Sequence, residues 1–199
     1  MKITVCTPTH VQRIRNGMLW EAMASVAQQT YKAAATSVCV DVNGEGAAPT
    51  RQKALMGVQT EWVAFLDSDD IFKPRHLELM AKHAEETEAD FVYSWFQVLT
   101  RDGRIIEDPI FPLTHFTNDW DPENPIETTI TTLVRTELAK EVGFVALDRG
   151  HNINSGEDRR FTIECMNLGA KISHLKRKTW LYRHHGDNTS GLPMKGDAV

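Results

Sequence analysis

The sequence predicts an α/β domain with a mostly parallel central sheet flanked by helices, and two observations support this fold class. Strand-like and helix-like patterns alternate three times in the first half of the chain. The run at 62–66 is almost continuously apolar, which is typical of a strand buried on both faces of a parallel sheet. A chain of 199 residues is also long enough to bury one substantial core without covalent cross-links.

The first half of the chain is expected to form three strand–helix pairs joined by right-handed crossovers. Its strands are recognised by β-branched and apolar runs, and its helices by apolar residues that recur on one helical face. The predicted strands cover 2–7, 37–42 and 62–66, and the predicted helices cover 17–30, 51–58 and a segment opened by Pro74.

The second half has a different pattern, which predicts a smaller antiparallel part. The turn Asp102-Gly103 should join a strand at 91–99 to a hairpin partner at 104–106, ahead of a proline-rich and acidic loop at 107–126. Further predicted elements are a strand at 128–134, a helix at 137–142 capped by Thr136 and closed by Gly143, a helix at 157–168 ended by Gly169, and a strand at 179–183. We expect one domain over residues 1–199.

Composition excludes several classes of protein. The formal net charge is −5, which argues against a domain held to nucleic acid mainly by phosphate contacts. There is no apolar run of 18 residues and no apolar leader, so we expect no transmembrane segment and a cytoplasmic location. The odd set of three cysteines, Cys6, Cys39 and Cys165, lacks C-x-x-C spacing and predicts buried reduced thiols rather than a redox or zinc site.

The segment Asp67-Ser68-Asp69-Asp70 carries the most informative polar residues. It follows the buried strand directly, and ligands of open α/β sheets bind beyond the carboxyl ends of strands. Alternation in an extended chain points Asp67 and Asp69 the same way, so their oxygens can hold Mg²⁺ or Mn²⁺. The alternative is a run of acids that stabilises the start of the next helix.

Two further groups are candidates for chemistry. His184 and His185 precede a glycine-rich tail and could ligate a metal ion, or else be solvated. Asp158, in Gly156-Glu157-Asp158, could act as a general base towards a hydroxyl, or else only stabilise a helix start.

Arg51 and Asp41 lie near the second predicted strand. Arg51 follows a glycine-containing loop and could pair with a phosphate or a base edge, or else be a solvated residue of a first helical turn. Asp41 lies within an apolar strand, where an unpaired buried carboxylate is costly, and acids at this place in such sheets often bind a nucleotide.

Taken in order, these features resemble the GT-A glycosyltransferases of family 2. Each short motif is unspecific alone, and the signal lies in their order along nearly the whole chain. The matching segments are Val5–His10, Glu21–Thr30, Phe65–Asp70 with Pro74 and Leu77, Glu141–Gly143, Gly156–Asp158 and His184–Gly191.

The resemblance implies a single GT-A domain, Rossmann-like, with a nucleotide-sugar-binding half at about 1–100 and an acceptor-binding, catalytic half at about 101–199. It implies a nucleoside-diphosphate sugar as donor, with a UDP-sugar as the default. The donor-binding positions in this sequence would be Pro8, Thr9, Asp41, Arg51 and Asp67.

The same resemblance implies a divalent ion, Mn²⁺ or Mg²⁺, and a catalytic base. Asp67 and Asp69 match the D-x-D motif, with Asp69 as the expected direct ligand, and either His185 or His184 matches the C-terminal metal-binding histidine. Asp158 matches the family's base. It would take the proton as an acceptor hydroxyl attacks C1 of the sugar in one inverting displacement, while the metal and the basic stretch 159–183 stabilise the leaving diphosphate.

The acceptor hydroxyl could belong to a saccharide, a lipid, a protein or a modified nucleic acid. Two other readings stay open. A nucleotidyltransferase would favour a basic, glycine-rich loop after the first strand, where this chain has Pro8-Thr9-His10-Val11. A non-catalytic module that binds sugar nucleotides would not need both Asp69 and Asp158.

Overall fold

A computed structural model describes residues 1–107, 120–121, 123, 129–145 and 156–185. Within these residues the chain forms eight strands and six helices. The strands are β1 (Ile3–His10), β2 (Ala35–Asp41), β3 (Trp62–Phe65), β4 (Ile71–Phe72), β5 (Phe91–Leu99), β6 (Ile105–Ile106), β7 (Thr132–Arg135) and β8 (Ile172–Arg183). The helices are α1 (Val11–Arg15), α2 (Met18–Ala27), α3 (Ala47–Met56), α4 (His76–Thr87), α5 (Thr136–Val142) and α6 (Glu157–Asn167).

All of these strands belong to one sheet with the order β2-β1-β3-β7-β5-β8-β4, and β6 pairs with β5 beside it. β1 is parallel to β2 and β3, and β5 is parallel to β8. β7 lies antiparallel between β3 and β5, and β4 and β6 are also antiparallel to their neighbours. Five strands (β1, β2, β3, β5 and β8) therefore point the same way, and their carboxyl ends meet at one edge. The sheet joins both halves of the chain.

Helices cover both faces of the sheet, which confirms the predicted α/β class. On one face, α2 and α4 pack through side chains such as Ala22, Val26 and Met80. On the other face, α3, α5 and α6 pack around Phe65, Phe144 and Phe161. Successive strand residues alternate between the two cores, as the two-residue repeat of a strand requires.

The hairpin at β5–β6 is confirmed, and so are the glycines that end two helices. Gly143 and Gly169 follow α5 and α6 with positive φ angles of 64° and 85°, which residues with a Cβ atom rarely adopt. Thr136 was expected to cap α5, but it is the first helical residue, and Arg135 takes the N-cap position without a side-chain hydrogen bond. Most of the predicted loop 107–126 lies outside the described residues.

Four elements differ from the sequence-based expectations. α1 lies between the strand predicted at 2–7 and the helix predicted at 17–30, where no element was expected, and β4 is an additional two-residue strand. α3 begins four residues before the predicted start at Arg51, and β8 begins at Ile172 rather than at 179. The early part of β8 carries Lys176 and Arg177, both exposed, so it lacks the apolar run of a buried strand.

The cysteines are free thiols, as predicted. Cys6 and Cys165 are buried, and burial raises the pKa of each thiol to about 12. Cys39 is half-buried. Thiols this protonated are poor nucleophiles, which fits structural positions.

Candidate active site

Three carboxylates form a cluster just beyond the carboxyl end of β3. One oxygen of each of Asp67, Asp69 and Asp70 lies within 4.8 Å of the others. A tight turn produces this arrangement, since the backbone N–H of Asp70 donates to the carbonyl oxygen of Asp67 at 3.1 Å. The next helix, α4, begins only at His76, after β4. The alternative that these acids open a helix is therefore wrong.

Asp70 is the most buried member of the acidic cluster. Its Oδ1 accepts a hydrogen bond of 2.9 Å from the backbone N–H of Arg183, the last residue of β8. Burial, and then the negative charges of Asp69 and Asp67, raise the pKa of Asp70 well above its usual value. This carboxyl group therefore links the end of β3 to the end of β8.

Asp69 is surrounded by cationic and hydrogen-bonding groups. Its Oδ2 atom lies 2.9 Å from Nη2 of Arg13 and 3.0 Å from Nε2 of His185. Burial alone would raise the pKa of Asp69, but the hydrogen bond with His185 and the charge of Arg13 outweigh it and lower the pKa. The side chain is thus held as a carboxylate.

The strand directions explain why a histidine from the end of the chain reaches Asp69. β8 runs parallel to β5 and in the direction of β3, so the residues after Arg183 emerge at the edge where the residues after β3 emerge. His185 contacts Asp69 with its ring, whereas His184 donates its backbone N–H to the carbonyl oxygen of Leu99 at 2.8 Å. Both histidines are buried, so the solvated alternative is wrong. The tail from 186 onwards lies outside the described residues.

Arg51 joins the acidic cluster to the start of α6. Its Nη2 lies 2.8 Å from Oδ1 of Asp67, and its Nη1 forms an ion pair with Glu157 and lies 3.7 Å from Oδ1 of Asp158. The guanidinium also lies over the ring of Phe144, 5.2 Å from its centroid.

The side chain of Arg51 is only 3% exposed, so the solvated alternative is wrong. Burial would lower the pKa of Arg51, but the surrounding carboxylates of Asp67, Glu157 and Asp158 outweigh it and raise the pKa further. Arg51 is therefore a permanent cation in contact with three acids. Direct contact of Arg51 with a nucleotide stays a prediction.

Asp158 lies in the first turn of α6, where the helix dipole favours a negative charge. Its side chain faces Arg51. Because 31% of the side chain is exposed, it also remains accessible to solvent. Glu157, its neighbour, was not singled out from the sequence. In the structure Glu157 also forms an ion pair with Arg51, beside Asp67 and Asp158.

The predicted donor-binding residues lie at the same edge. Pro8 and Thr9 are buried near the end of β1 and pair with Cys39 and Val40 of β2. The Thr9 Oγ1 atom is buried and has no hydrogen-bond partner among the described residues.

Asp41 ends β2 and shapes the loop that follows. Its carboxylate accepts hydrogen bonds from the backbone N–H groups of Asn43, Glu45 and Gly46 at 2.8 to 3.2 Å. These bonds, with Gly46 contributing most, lower the pKa of Asp41. Contact of Asp41 with a ribose stays a prediction.

Sequence reasoning missed Arg13 and used Arg183 only as part of a basic stretch. Arg183 donates from Nε to the carbonyl oxygen of Asp69 at 2.8 Å and pairs with Glu21 through Nη2. The direction of the last strand could have placed Arg183 at this edge. Arg13 had no such signal, because its segment has the composition of a polar loop.

The family is shown by comparison with known proteins. A sequence model described as "Glycosyl transferase family 2" matches residues 32–143, more than half of the chain. The chain therefore belongs to glycosyl transferase family 2.

Individual relatives agree with this assignment. A putative teichuronic acid biosynthesis glycosyltransferase, TuaG of Bacillus subtilis (strain 168), is 31% identical over 97 residues, which cover 49% of this chain and 38% of TuaG. An uncharacterised glycosyltransferase of Rickettsia bellii (strain RML369-C) is 29% identical over 152 residues, which cover 73% of this chain and 20% of that protein. The chain thus spans well under half the length of these relatives.

The fold is shared with TarS of S. aureus. The crystal structure of TarS 1–349 in complex with UDP-GlcNAc matches all of this chain and 62% of the TarS chain, with a TM-score of 0.71 and 22% identity. The complex of TarS 1–349 with UDP matches 92% of this chain with a TM-score of 0.68. These matches confirm the GT-A fold. Within the described residues, none of the helices combines the length and the apolar character needed to cross a membrane.

Proposed function

We propose that this chain is a catalytic domain that transfers a sugar, with inversion, from a nucleoside-diphosphate donor to an acceptor hydroxyl. One observation carries the proposal: a buried Arg51 contacts both the acidic cluster of Asp67 and the start of α6 with Asp158. A group suited to bind a cation and a group suited to accept a proton are thereby fixed to each other. Membership of glycosyl transferase family 2 supports this reading.

The nucleotide would bind at the carboxyl ends of β1 and β2. Pro8 and Thr9 lie near the end of β1, beside the end of β2 and the loop whose backbone N–H groups bind Asp41. A UDP-sugar is the first donor to test, because the structurally similar TarS was crystallised with UDP and with UDP-GlcNAc.

The acidic cluster fits a divalent ion. Carboxylate oxygens from Asp67, Asp69 and Asp70 lie close together, and the imidazole of His185 touches the central acid. Such a set of donors suits Mn²⁺ or Mg²⁺. Asp69 and His185 would hold the ion, which when bound would neutralise charge on the departing diphosphate.

Asp158 is the proposed general base. As the acceptor oxygen attacks C1 of the sugar, the hydroxyl proton passes to the Asp158 carboxylate, and the bond between C1 and the diphosphate oxygen breaks with its electrons on the diphosphate. The carboxylate of Asp158 lies 3.7 Å from Nη1 of Arg51 and its side chain is 31% exposed, so an acceptor hydroxyl can approach it. The acceptor can be a hydroxyl of a saccharide, a lipid, a protein or a modified nucleic acid.

The test is a panel of nucleotide sugars, each incubated with the protein and Mn²⁺ while release of nucleoside diphosphate is measured. We expect release from one donor class, and a loss of about 100-fold or more in Asp158→Asn. Glu164→Gln is a matched control, because Glu164 is a half-buried acid on the same helix.

The outcomes separate the candidate functions. Release by Asp158→Asn at the wild-type rate would overturn the role of Asp158. Nucleotide binding without release from any donor would instead favour a non-catalytic module. Formation of pyrophosphate from a nucleoside triphosphate and a sugar phosphate would identify a nucleotidyltransferase.

A further inference from the structure

Arg13 is a buried cation in direct contact with the acid that is expected to bind the metal. Its Nη2 lies 2.9 Å from Oδ2 of Asp69, and the two side chains are only 8% and 17% exposed. The same oxygen also contacts Nε2 of His185 at 3.0 Å. Asp69 therefore already has a partner of opposite charge supplied by the protein itself.

The local fold holds Arg13 in this place. α1 follows β1 without a break, so Arg13 emerges at the carboxyl edge of the sheet next to the residues that follow β3. A second contact fixes its guanidinium, since Nη1 lies 3.4 Å from the sulfur of Met18. Gly17, with a φ angle of 86°, makes the reversal between α1 and α2 that brings Met18 back to Arg13.

We infer that Arg13 is a resident counter-ion of Asp69 that competes with the divalent ion and so sets the affinity of the site for metal. This inference rests on the proposed function, in which Asp69 holds the ion. A divalent ion that binds the Asp69 carboxylate must share it with a guanidinium or displace it. Either course costs free energy, because like charges repel strongly where water is largely excluded.

The predicted change in metal affinity on removal of Arg13 is opposite in sign to the change that a purely structural role would give. If Arg13 only supported the fold, its removal would loosen Asp69 and weaken metal binding. If Arg13 competes with the metal, its removal strengthens metal binding, although the metal-free protein becomes less stable because a buried carboxylate loses its partner.

The experiment measures Mn²⁺ binding directly, by the electron paramagnetic resonance signal of free Mn²⁺, with no substrate present. We expect Arg13→Gln to bind Mn²⁺ about tenfold more tightly than the wild type. Arg13→Lys keeps the charge and should stay near the wild-type affinity. Arg15→Gln is the matched control, because Arg15 belongs to the same helix but is exposed, and its affinity should be unchanged.

Thermal unfolding gives a second readout that does not depend on catalysis. Without metal, Arg13→Gln should have a lower melting temperature than the wild type. Saturating Mn²⁺ should raise the melting temperature of Arg13→Gln by more than it raises that of the wild type. A stabilisation by Mn²⁺ that is larger in the variant supports the inference even if the variant is less stable overall.

The outcomes distinguish this inference from the proposed function. Equal or weaker Mn²⁺ binding by Arg13→Gln, beside measurable binding by the wild type, would overturn the role of Arg13 and leave the metal site in place. Absence of Mn²⁺ binding in both proteins would overturn the metal-binding part of the proposed function together with this inference. Binding by the variant alone would support both.

Discussion

The Nη2 atom of Arg51 lies 2.8 Å from Oδ1 of Asp67, and the same guanidinium also pairs with Glu157, 106 residues further along the chain. Arg51 lies on α3, and its other terminal nitrogen contacts Glu157 and Asp158 on α6. One buried cation thus contacts both Asp67 of the acidic cluster and the proposed base Asp158. A single buried side chain sets the relative positions of both.

Replacing Arg51 should therefore destabilise the folded protein. In Arg51→Met the three carboxylates lose their shared cation, and we expect a loss of about 3 kcal/mol in the free energy of unfolding, measured by denaturant titration. Arg75→Met is the control, since Arg75 forms an exposed ion pair with Glu78 and its loss should cost far less stability than that of Arg51. Equal losses in the two variants would contradict the central position of Arg51.

Phe161 packs α6 against the aromatic side chains of the core. Its ring is stacked on Phe144 with a centroid distance of 4.4 Å and packs edge-on against Phe65 at 5.7 Å. We expect Phe161→Ala to reduce the free energy of unfolding by about 3–5 kcal/mol, since it leaves a cavity in a packed interior.

A control for Phe161 lies just beyond the same helix. Leu168 is 51% exposed, so Leu168→Ala should change the free energy of unfolding little. A cost in Phe161→Ala as small as that in Leu168→Ala would show that the aromatic cluster contributes little to stability.

The buried His76 predicts a specific dependence of stability on pH. Its ring is stacked on Phe72, its Nδ1 lies 2.7 Å from Oγ1 of Thr179, and burial lowers the pKa of His76 from 6.5 to about 3. Between these pH values the unfolded chain binds a proton that the folded protein does not bind. Stability should therefore fall as the pH falls from 6.5 towards 3, with a contribution from this group of about 1.4 kcal/mol per pH unit.

The variant His76→Gln isolates this contribution. Denaturant titrations at several pH values should give a shallower pH dependence in His76→Gln than in the wild type. His10→Gln, which replaces an exposed histidine, should keep the wild-type slope. An unchanged slope in His76→Gln would mean that another group causes the loss of stability in acid.

Much of the fold follows from local patterns in the sequence. The alternation of strands and helices, the buried strand at β3 and the glycines after α5 and α6 are signals with a period or a special residue, and all were predicted. The first part of β8 was not predicted, because Lys176 and Arg177 give it a polar composition, and its pairing with β5 supplies the structure instead. α1 was missed for the same reason.

The positions of those site residues that follow a strand were predictable from the direction of that strand. Asp67 and Asp69 follow β3, and His185 follows a strand in the same direction, so their convergence follows from a parallel arrangement. The sequence alone does not decide which of His184 and His185 contacts Asp69, because this depends on the pairing of β8. The burial of Arg13 and Arg51 could not be predicted, since most arginines in such segments are solvated.

The most direct test of the proposed function is a calorimetric titration of the protein with UDP, with and without Mn²⁺. Asp69→Asn serves as the comparison, because it removes the charge of the proposed metal ligand and keeps the shape of the side chain. We predict UDP binding that Mn²⁺ strengthens by about tenfold or more in the wild type and much less in Asp69→Asn. The same UDP affinity with and without Mn²⁺, or no UDP binding at all, would contradict the proposal of a metal-assisted nucleotide-sugar transferase.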